Sequence, residues 1–288
     1  MNIDIRNIGL SQPDNSIGYI EHAKRAGQTC LEESGVGIDE IDLLINVGNY
    51  RDNNMCEPSI AVLIQHALGI NLNPLIQPVK AHTFSFDLLN GACGLLNAFQ
   101  VANAMLSSKN GRYALLVSGD THPSTQAHED FPYAHNAVAI LVEHTQQRHF
   151  LDCRFATSDA FNGTLGYLDL DTHGLKSRTS ITLETNLAGK QSLNFAQDVL
   201  SQYITQHDII PSDTVFLAVH PDSTVTERLT RYFGFQHTIP AAITRDFHTA
   251  ALGVGLEHAL QTHPNSDILC VVIATGLTVG CTLYRQVQ

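Results

Sequence analysis

A chain of 288 residues with 43% hydrophobic and only 15% charged side chains can bury a large core, which excludes an intrinsically disordered protein. The net charge of −12, from 28 acidic and 16 basic residues, argues against nucleic acid and anionic membrane surfaces, both of which attract basic patches. No apolar run approaches the roughly 20 residues of a spanning helix, and the opening MNIDIRNIGLSQPDNS lacks the basic-then-apolar order of a signal peptide. Six cysteines (30, 56, 93, 153, 270 and 281) sit mostly in apolar stretches with no CxxC spacing, so the expectation is a reduced, cytoplasmic protein.

Turn signals separate segments that alternate in type. IDLLINVG (41–48) reads as an apolar strand, and PSIAVLIQHALGI (58–70) as a helix, with Pro58 at its first position and Gly69 as its stop. The strand-like FSFDLL leads through Asn90, Gly91 and Ala92 to GLLNAFQVANAMLSS (94–108), a helix of small apolar residues expected to be buried on most sides. YALLVSGD (113–120) and AVAILVEH (137–144) read as buried strands, the first also as a dimerisation strand.

The second half repeats this order: strand DTVFLAVH (213–220), helix TVTERLTRYFGF (224–235) stopped at Gly234, small-residue helix HTAALGVGLEHALQT (248–262) and strand DILCVVIATG (267–276). Cys93 precedes Ala114 by 21 residues and His248 precedes Leu269 by 21, so the spacing sets Cys93 and His248 at equivalent places. An internal duplication into halves 1–150 and 151–288 accounts for the repeat, and all-apolar strands alternating with helices indicate α/β layers.

Three residues of this pattern could carry chemistry. Cys93 stands at a helix N-terminus, where unpaired amides and the macrodipole favour a thiolate and lower its pKa. His220 closes a strand at the end of an α/β sheet where such folds gather their sites. His248 opens the small-residue helix of the second half, and pseudo-symmetry would bring it towards the thiol. A buried cysteine acting only as a small hydrophobe, and histidines acting only as polar caps, are the plainer alternatives.

FDLLNGACGLLNAFQVANAML followed by YALLVSGD resembles the nucleophile segment of β-ketoacyl-acyl-carrier-protein synthase III and its thiolase-fold relatives. GVGIDEIDLLINVG and EPSIAVLIQHALGI resemble the family's lead-in, AVHPDSTVTERLTRYFG its histidine segment, FHTAALGVGLEHAL its asparagine segment, and ATGLTVGCTLY its glycine loop and last strand. The resemblance implies a thiolase-like five-layer αβαβα fold built from two pseudo-symmetric halves. It also implies acyl transfer through a cysteine thioester in fatty-acid, polyketide or secondary-metabolite biosynthesis. Cys93, His220 and His248 would then be catalytic, with backbone amides at Cys93 and Gly276 as the oxyanion hole and His248 where the family usually has asparagine. No bound cofactor is expected; the substrate would be an acyl-CoA or acyl-carrier-protein thioester, and the partners a second copy or a ketosynthase paralogue. An acidic carrier needs local bases: Lys109, Arg112, Arg228, Arg231 and Arg245 are the candidates, with Arg228 and Arg231 on one helix face to meet a carrier or phosphopantetheine.

The sequence departs from the family in several places. Aligned without gaps, the family cysteine falls on Ala92 and Cys93 comes one residue late, about 100° around a helix. His-Pro-Asp-Ser (220–223) replaces His-Gln-Ala-Asn, and Tyr133-Ala134-His135-Asn136 replaces a Gly-Asp-Gly-like loop. The segment that shapes the substrate mouth is missing between Asn15 and Ala23, and there is no tryptophan. These departures keep open a non-catalytic subunit that pairs with an active paralogue. Gly119-Asp120-Thr121-His122 also resembles one box of metal phosphoesterases, although the companion histidine boxes are absent.

Overall fold

Eight consecutive buried residues, Tyr113–Asp120, can form a strand only where both faces are covered. In the computed structural model, which describes the chain apart from residues 56, 73–81, 110, 125–130, 160–162, 168–180, 187–188, 245, 275 and 287–288, that strand is central. The elements of the first half are β1 (Ile3–Ser11), α1 (Tyr19–Ser34), β2 (Ile41–Asn46), α2 (Ile60–Leu68), β3 (Phe84–Asp87), α3 (Gly94–Lys109), β4 (Tyr113–Asp120) and β5 (Asn136–His144). Those that follow are β6 (Arg154–Thr157), the hairpin β7 (Gly163–Tyr167) and β8 (Thr182–Asn186), α4 (Gly189–Gln206), β9 (Val215–Val219), α5 (Ser223–Phe233), β10 (His237–Thr238), α6 (Ala251–Thr262), β11 (Ile268–Ala274) and β12 (Thr278–Tyr284).

One sheet has the order β1-β5-β4-β2-β3 and the other β10-β9-β11-β12-β6. Read from the opposite edge, the second order reproduces the first. The central pairs β2–β4 and β9–β11 are parallel, β4–β5 and β11–β12 antiparallel, and the edge strands β3 and β10 run parallel to their neighbours. Two halves of one topology therefore stack face to face. The first half's outer core packs α1 and α2 on its sheet, and the second half's packs α4 and α5 on the other. Between the sheets, α3 and α6 fill the middle layer, giving the thiolase-like αβαβα architecture.

The middle layer explains the small residues. A helix between two sheets needs apolar surface all round and close approach on both sides. Gly253 and Gly255 lie about 200° apart around α6. A Cβ on Gly253 would fall 2.7 Å from Val138 Cγ1 in β5, and one on Gly255 would fall 2.3 Å from Leu217 Cδ1 in β9. One glycine thus admits each sheet. On α3, Leu95, Leu96, Ala98, Phe99 and Ala102 are all fully buried, as the sequence predicts.

Local expectations hold with two corrections. Gly69 and Gly234 end α2 and α5 in the left-handed conformation, at φ 74° and 78°. The helix read from Pro58 begins instead at Ile60, with Ser59 at the N-cap and the Asp87 carboxylate accepting from the Ile60 and Ala61 amides at 3.0 and 2.8 Å. The dimerisation role given to 113–120 fails, because β4 is hydrogen-bonded on both edges by β2 and β5. Sheet edges lie at β3 and β1 instead.

Asp87 also accepts from Asn46 Nδ2 at 3.1 Å and pairs with Arg51 Nη2 at 3.1 Å, with its side chain only 8% exposed. Replacing it with alanine removes the shared acceptor of these four groups and leaves the Ile60 and Ala61 amides without their capping carboxylate. We expect Asp87→Ala to lower unfolding free energy by about 3 kcal/mol, read as an earlier urea midpoint; an unchanged midpoint would show that water replaces the carboxylate.

Candidate active site

Each middle-layer helix is entered through a single 3-10 turn, Gly91–Cys93 before α3 and His248–Ala250 before α6. Both turns start on a left-handed residue, Gly91 at φ 49° and His248 at φ 37°. His248 is therefore the counterpart of Gly91, and Cys93 the counterpart of Ala250. This corrects the equivalence drawn from the 21-residue spacing: α3 has 16 residues and α6 has 12, so counting back from the following strand misplaces the turn. The two turns pack against each other, and a Cβ built on Gly91 would lie 4.0 Å from His248 Nε2.

The other edge of that imidazole is anchored. His248 Nδ1 donates to Asp120 Oδ2 at 2.8 Å, from the C-terminal end of β4. The same oxygen accepts from the Thr249 hydroxyl at 2.7 Å and amide at 3.2 Å. Oδ1 accepts from the Asn49 and Tyr50 amides, each at 3.0 Å. With Nδ1–H committed to the carboxylate, the neutral ring presents an unprotonated Nε2, the arrangement of a general base. Tyr133 lies flat on the ring, with centroids 4.2 Å apart and planes at 13°, and Tyr50 closes another side at 5.9 Å. Asp120, Tyr50 and Tyr133 were not singled out as site residues from sequence; the signal for Asp120 was a lone carboxylate ending an otherwise uncharged, buried strand. In the phosphoesterase-like segment, Asp120 serves His248, and among the described residues no group of three or more His, Cys, Asp or Glu could hold a metal ion.

Cys93 turns away from this edge. It is 0% exposed and packs in the core between the two sheets. Burial pushes its thiol up to about 12, against a smaller lowering by a backbone hydrogen bond from Gly280. The expectation of a lowered pKa at a helix N-terminus is thereby reversed, because desolvation of the thiolate outweighs the nearby amides. At neutral pH such a thiol is ionised in roughly one molecule in 10⁵. Its own amide, expected to help form an oxyanion hole, donates to Asn90 O at 3.1 Å. Gly276, the other expected contributor, sits in a turn at φ 82° between β11 and β12.

His220, read as the last residue of a strand over 213–220, directly follows β9, which ends at Val219, and is 5% exposed. The Asp222 amide donates to its Nδ1 at 2.9 Å, and the Asp222 carbonyl at 3.1 Å accepts only when Nδ1 carries a proton. Burial lowers its pKa, partly offset by the Asp222 backbone. Arg228 and Arg231 are exposed on α5, and Arg231 Nη2 lies 3.7 Å from Glu227 Oε2 one turn back. Arg112 is tied to Glu143 at 3.0 Å, while Arg245 and the side chain of Lys109 lie outside the described residues.

Two measurements follow from these environments. Iodoacetamide at pH 7.5 should alkylate Cys93 at least about 100-fold more slowly in the native chain than in urea; equal rates by peptide mass would show that the thiol reaches solvent. Because burial lowers the folded pKa of His220, the unfolded chain binds its proton first, so stability falls as pH drops below about 6.5. In His220→Gln the decline of the urea midpoint between about pH 7 and 5 should be shallower; an identical slope would place the effect elsewhere.

No family model matches the chain. Over 285 residues it is 23% identical to β-ketoacyl-[acyl-carrier-protein] synthase III of Rickettsia bellii, a match covering 93% of this chain and 84% of that protein. A 108-residue stretch is 32% identical to the acyl-CoA:acyl-CoA alkyltransferase of Xanthomonas campestris pv. campestris, covering 38% of this chain and 29% of that one. Among solved structures, the priming β-ketosynthase of the R1128 polyketide pathway superposes with a TM-score of 0.79 at 15% identity, over 98% of this chain and 96% of that chain. The chain is thus a divergent relative of the β-ketoacyl synthase III enzymes, built on their thiolase-like fold.

Proposed function

We propose that this chain is a condensing-type acyltransferase, which takes an acyl group from a coenzyme A or acyl-carrier-protein thioester and passes it to an acceptor. The observation that carries this reading is the imidazole of His248, fixed by Asp120 and aimed at the Gly91 turn in the segment that resembles the family's nucleophile segment. Similarity to synthase III along nearly the whole chain supports thioesters as the substrate class. His220, held neutral by burial, is the second imidazole assigned to the site, and the Gly276 turn is the remaining assigned oxyanion contributor. The substrate brings its own thiol carrier, and no resident cofactor is assigned.

The carrier docks along α5. Arg228 and Arg231 stand exposed on that helix, Arg231 beside Glu227, and a groove of about 470 Å³ lined by Thr226, Glu227, Thr230, Arg231, Ile239 and Pro240 runs beside them. A second copy pairs along β3, the sheet edge where Phe84 is 53% exposed, followed by Leu89 at 47%. No helix among the described residues is long and apolar enough to cross a membrane, and the free thiols at 30, 93, 153, 270 and 281 suit a reducing cytoplasm.

A second reading rests on one specific observation: the family's cysteine position falls on Ala92, and the neighbouring thiol is sealed in the core. On that reading the chain is the non-acylating member of a heterodimer with an active paralogue. Acyl-CoAs from acetyl to palmitoyl, supplied to the purified chain with a thiol reagent reporting free CoA, separate the two. Release above the uncatalysed rate is expected, with His248→Gln reducing it by about 10²–10⁴-fold. A rate equal to buffer for every chain length, recovered only on adding a paralogue, would establish the subunit reading.

A further inference from the structure

Among the described residues, no thiol or hydroxyl is hydrogen-bonded to His248 Nε2, so the base stands there without a partner nucleophile. The turn it faces begins with Gly91 and Ala92, a hydrogen and a methyl group. Cys93, the first heteroatom-bearing side chain of that turn, points into the hydrocarbon between the sheets with no exposed surface. The base is nonetheless fully prepared. Its Nδ1 is held at 2.8 Å by a carboxylate that accepts four further hydrogen bonds, from Asn49, Tyr50 and the amide and hydroxyl of Thr249. Tyr133 stacked at 4.2 Å fixes the ring plane, and the side chain keeps 10% of its surface open. In a covalent mechanism a prepared imidazole activates a side-chain thiol or hydroxyl. Here Nε2 lies 4.0 Å from the point where a Cβ on Gly91 would stand, and residue 92 offers that turn only a methyl group.

We propose that this chain transfers acyl groups directly from thioester to a hydroxyl acceptor, an alcohol or water, in one ternary complex, with His248 as the base and without an acyl-enzyme. The proposal rests on the acyltransferase reading above and replaces the covalent step in it. The acceptor takes the place a nucleophile side chain would fill. Its O–H proton passes to His248 Nε2 as its oxygen bonds to the thioester carbonyl carbon. When the tetrahedral adduct collapses, the carbon–sulfur bond breaks and the thiolate leaves. It recovers the proton from Nε2, so thioester and alcohol become ester and free thiol, with the base restored. Asp120 touches neither substrate; it is a positioning residue that holds the tautomer and stabilises the imidazolium formed in passing.

The two chemistries have different kinetic signatures. A covalent route releases one equivalent of thiol in a burst, gives parallel double-reciprocal lines, and leaves an acyl mass on the quenched protein. The direct route gives intersecting lines, no burst and an unmodified mass. The test uses the wild-type chain with hexanoyl-CoA, with 1-propanol or water as acceptor, quenched in acid during steady turnover and weighed intact. Expected are propyl hexanoate and hexanoate as products, the bare protein mass at every time, and intersecting lines for 1-propanol. His248→Gln should lower kcat by about 10²–10⁴-fold with KM for hexanoyl-CoA within about threefold. Asp120→Asn should act through kcat in the same way, and Asp120→Glu should recover part of the loss. An acyl adduct on any residue, Cys93 included, overturns the direct route and leaves the acyltransferase reading standing. Turnover without adduct that His248→Gln does not diminish also overturns it. Absence of thioester turnover across the acyl-CoA series removes the acyltransferase reading itself, and the direct route with it.

Discussion

The centre of this molecule depends on one buried carboxylate. Asp120 ends the strand at the middle of the first sheet, and its two oxygens receive five hydrogen bonds from two separate directions. Oδ1 fixes the Asn49–Tyr50 loop that follows β2, within the first half. Oδ2 fixes His248 and Thr249, which belong to the second half. The carboxylate is therefore a polar clasp between two bodies that meet chiefly through the non-directional packing of α3 and α6, alongside hydrogen bonds such as Ala134 N to Asp246 O and Tyr284 Oη to Asp4 Oδ1. Packing alone would let the halves slide, whereas hydrogen bonds that are short and directional set their register. The same device recurs nearby: Asp52 accepts from the first amides of α1 at 2.7 and 3.1 Å, and Asp87 from those of α2. Remote aspartates do the work that local N-cap side chains do elsewhere.

The shared topology of the two halves sets this clasp beside a pair of matched turns. Both halves enter their inner helix through a turn whose first residue is left-handed. In the first half glycine meets that demand without strain. The second half places a histidine there, at φ 37°. Because the paired turns face each other, the unusual residue of one half is directed at the vacant Cβ position of the other. Each turn's third residue, Cys93 or Ala250, goes into the core in both halves, with no exposure in either. That correspondence is the clearest physical reason for the burial of the Cys93 thiol: it occupies a packing position shared with an alanine.

Sequence reading reached the layered architecture because its strongest signals are physical necessities. All-apolar strands need two covered faces, and the small-residue helices at 94 and 251 need two sheets. The strand β1 was not visible because a bulge between Ile5 and Asn7 shifts the register, so Ile3 and Ile8, both buried, are out of phase with any simple alternation. His220 and His248 were legible as strand-end and helix-start residues. Their environments were not, since the partners of His248 lie 128 and 115 positions away, at Asp120 and Tyr133. The helix-dipole argument for Cys93 failed for a related reason. It weighs a local field, but the free energy of a thiolate here is decided by burial, which outweighs even the opposing backbone hydrogen bond from Gly280.

A non-glycine residue at positive φ costs of order 1–3 kcal/mol unless its surroundings hold it there. His248 is held by Asp120 and by stacking on Tyr133. An asparagine or glycine would enter α6 from the same backbone conformation more easily, and the core contact of the turn is made by Ala250 two residues later. Folding accounts for the buried carboxylate through its bonds to Asn49, Tyr50 and Thr249, but it gives no reason to prefer an imidazole at this point. The imidazole becomes intelligible if the ring has a task at its free nitrogen. The neighbouring turn presents Gly91 and Ala92 and buries its thiol, so on the direct route that task falls to a molecule that arrives from outside.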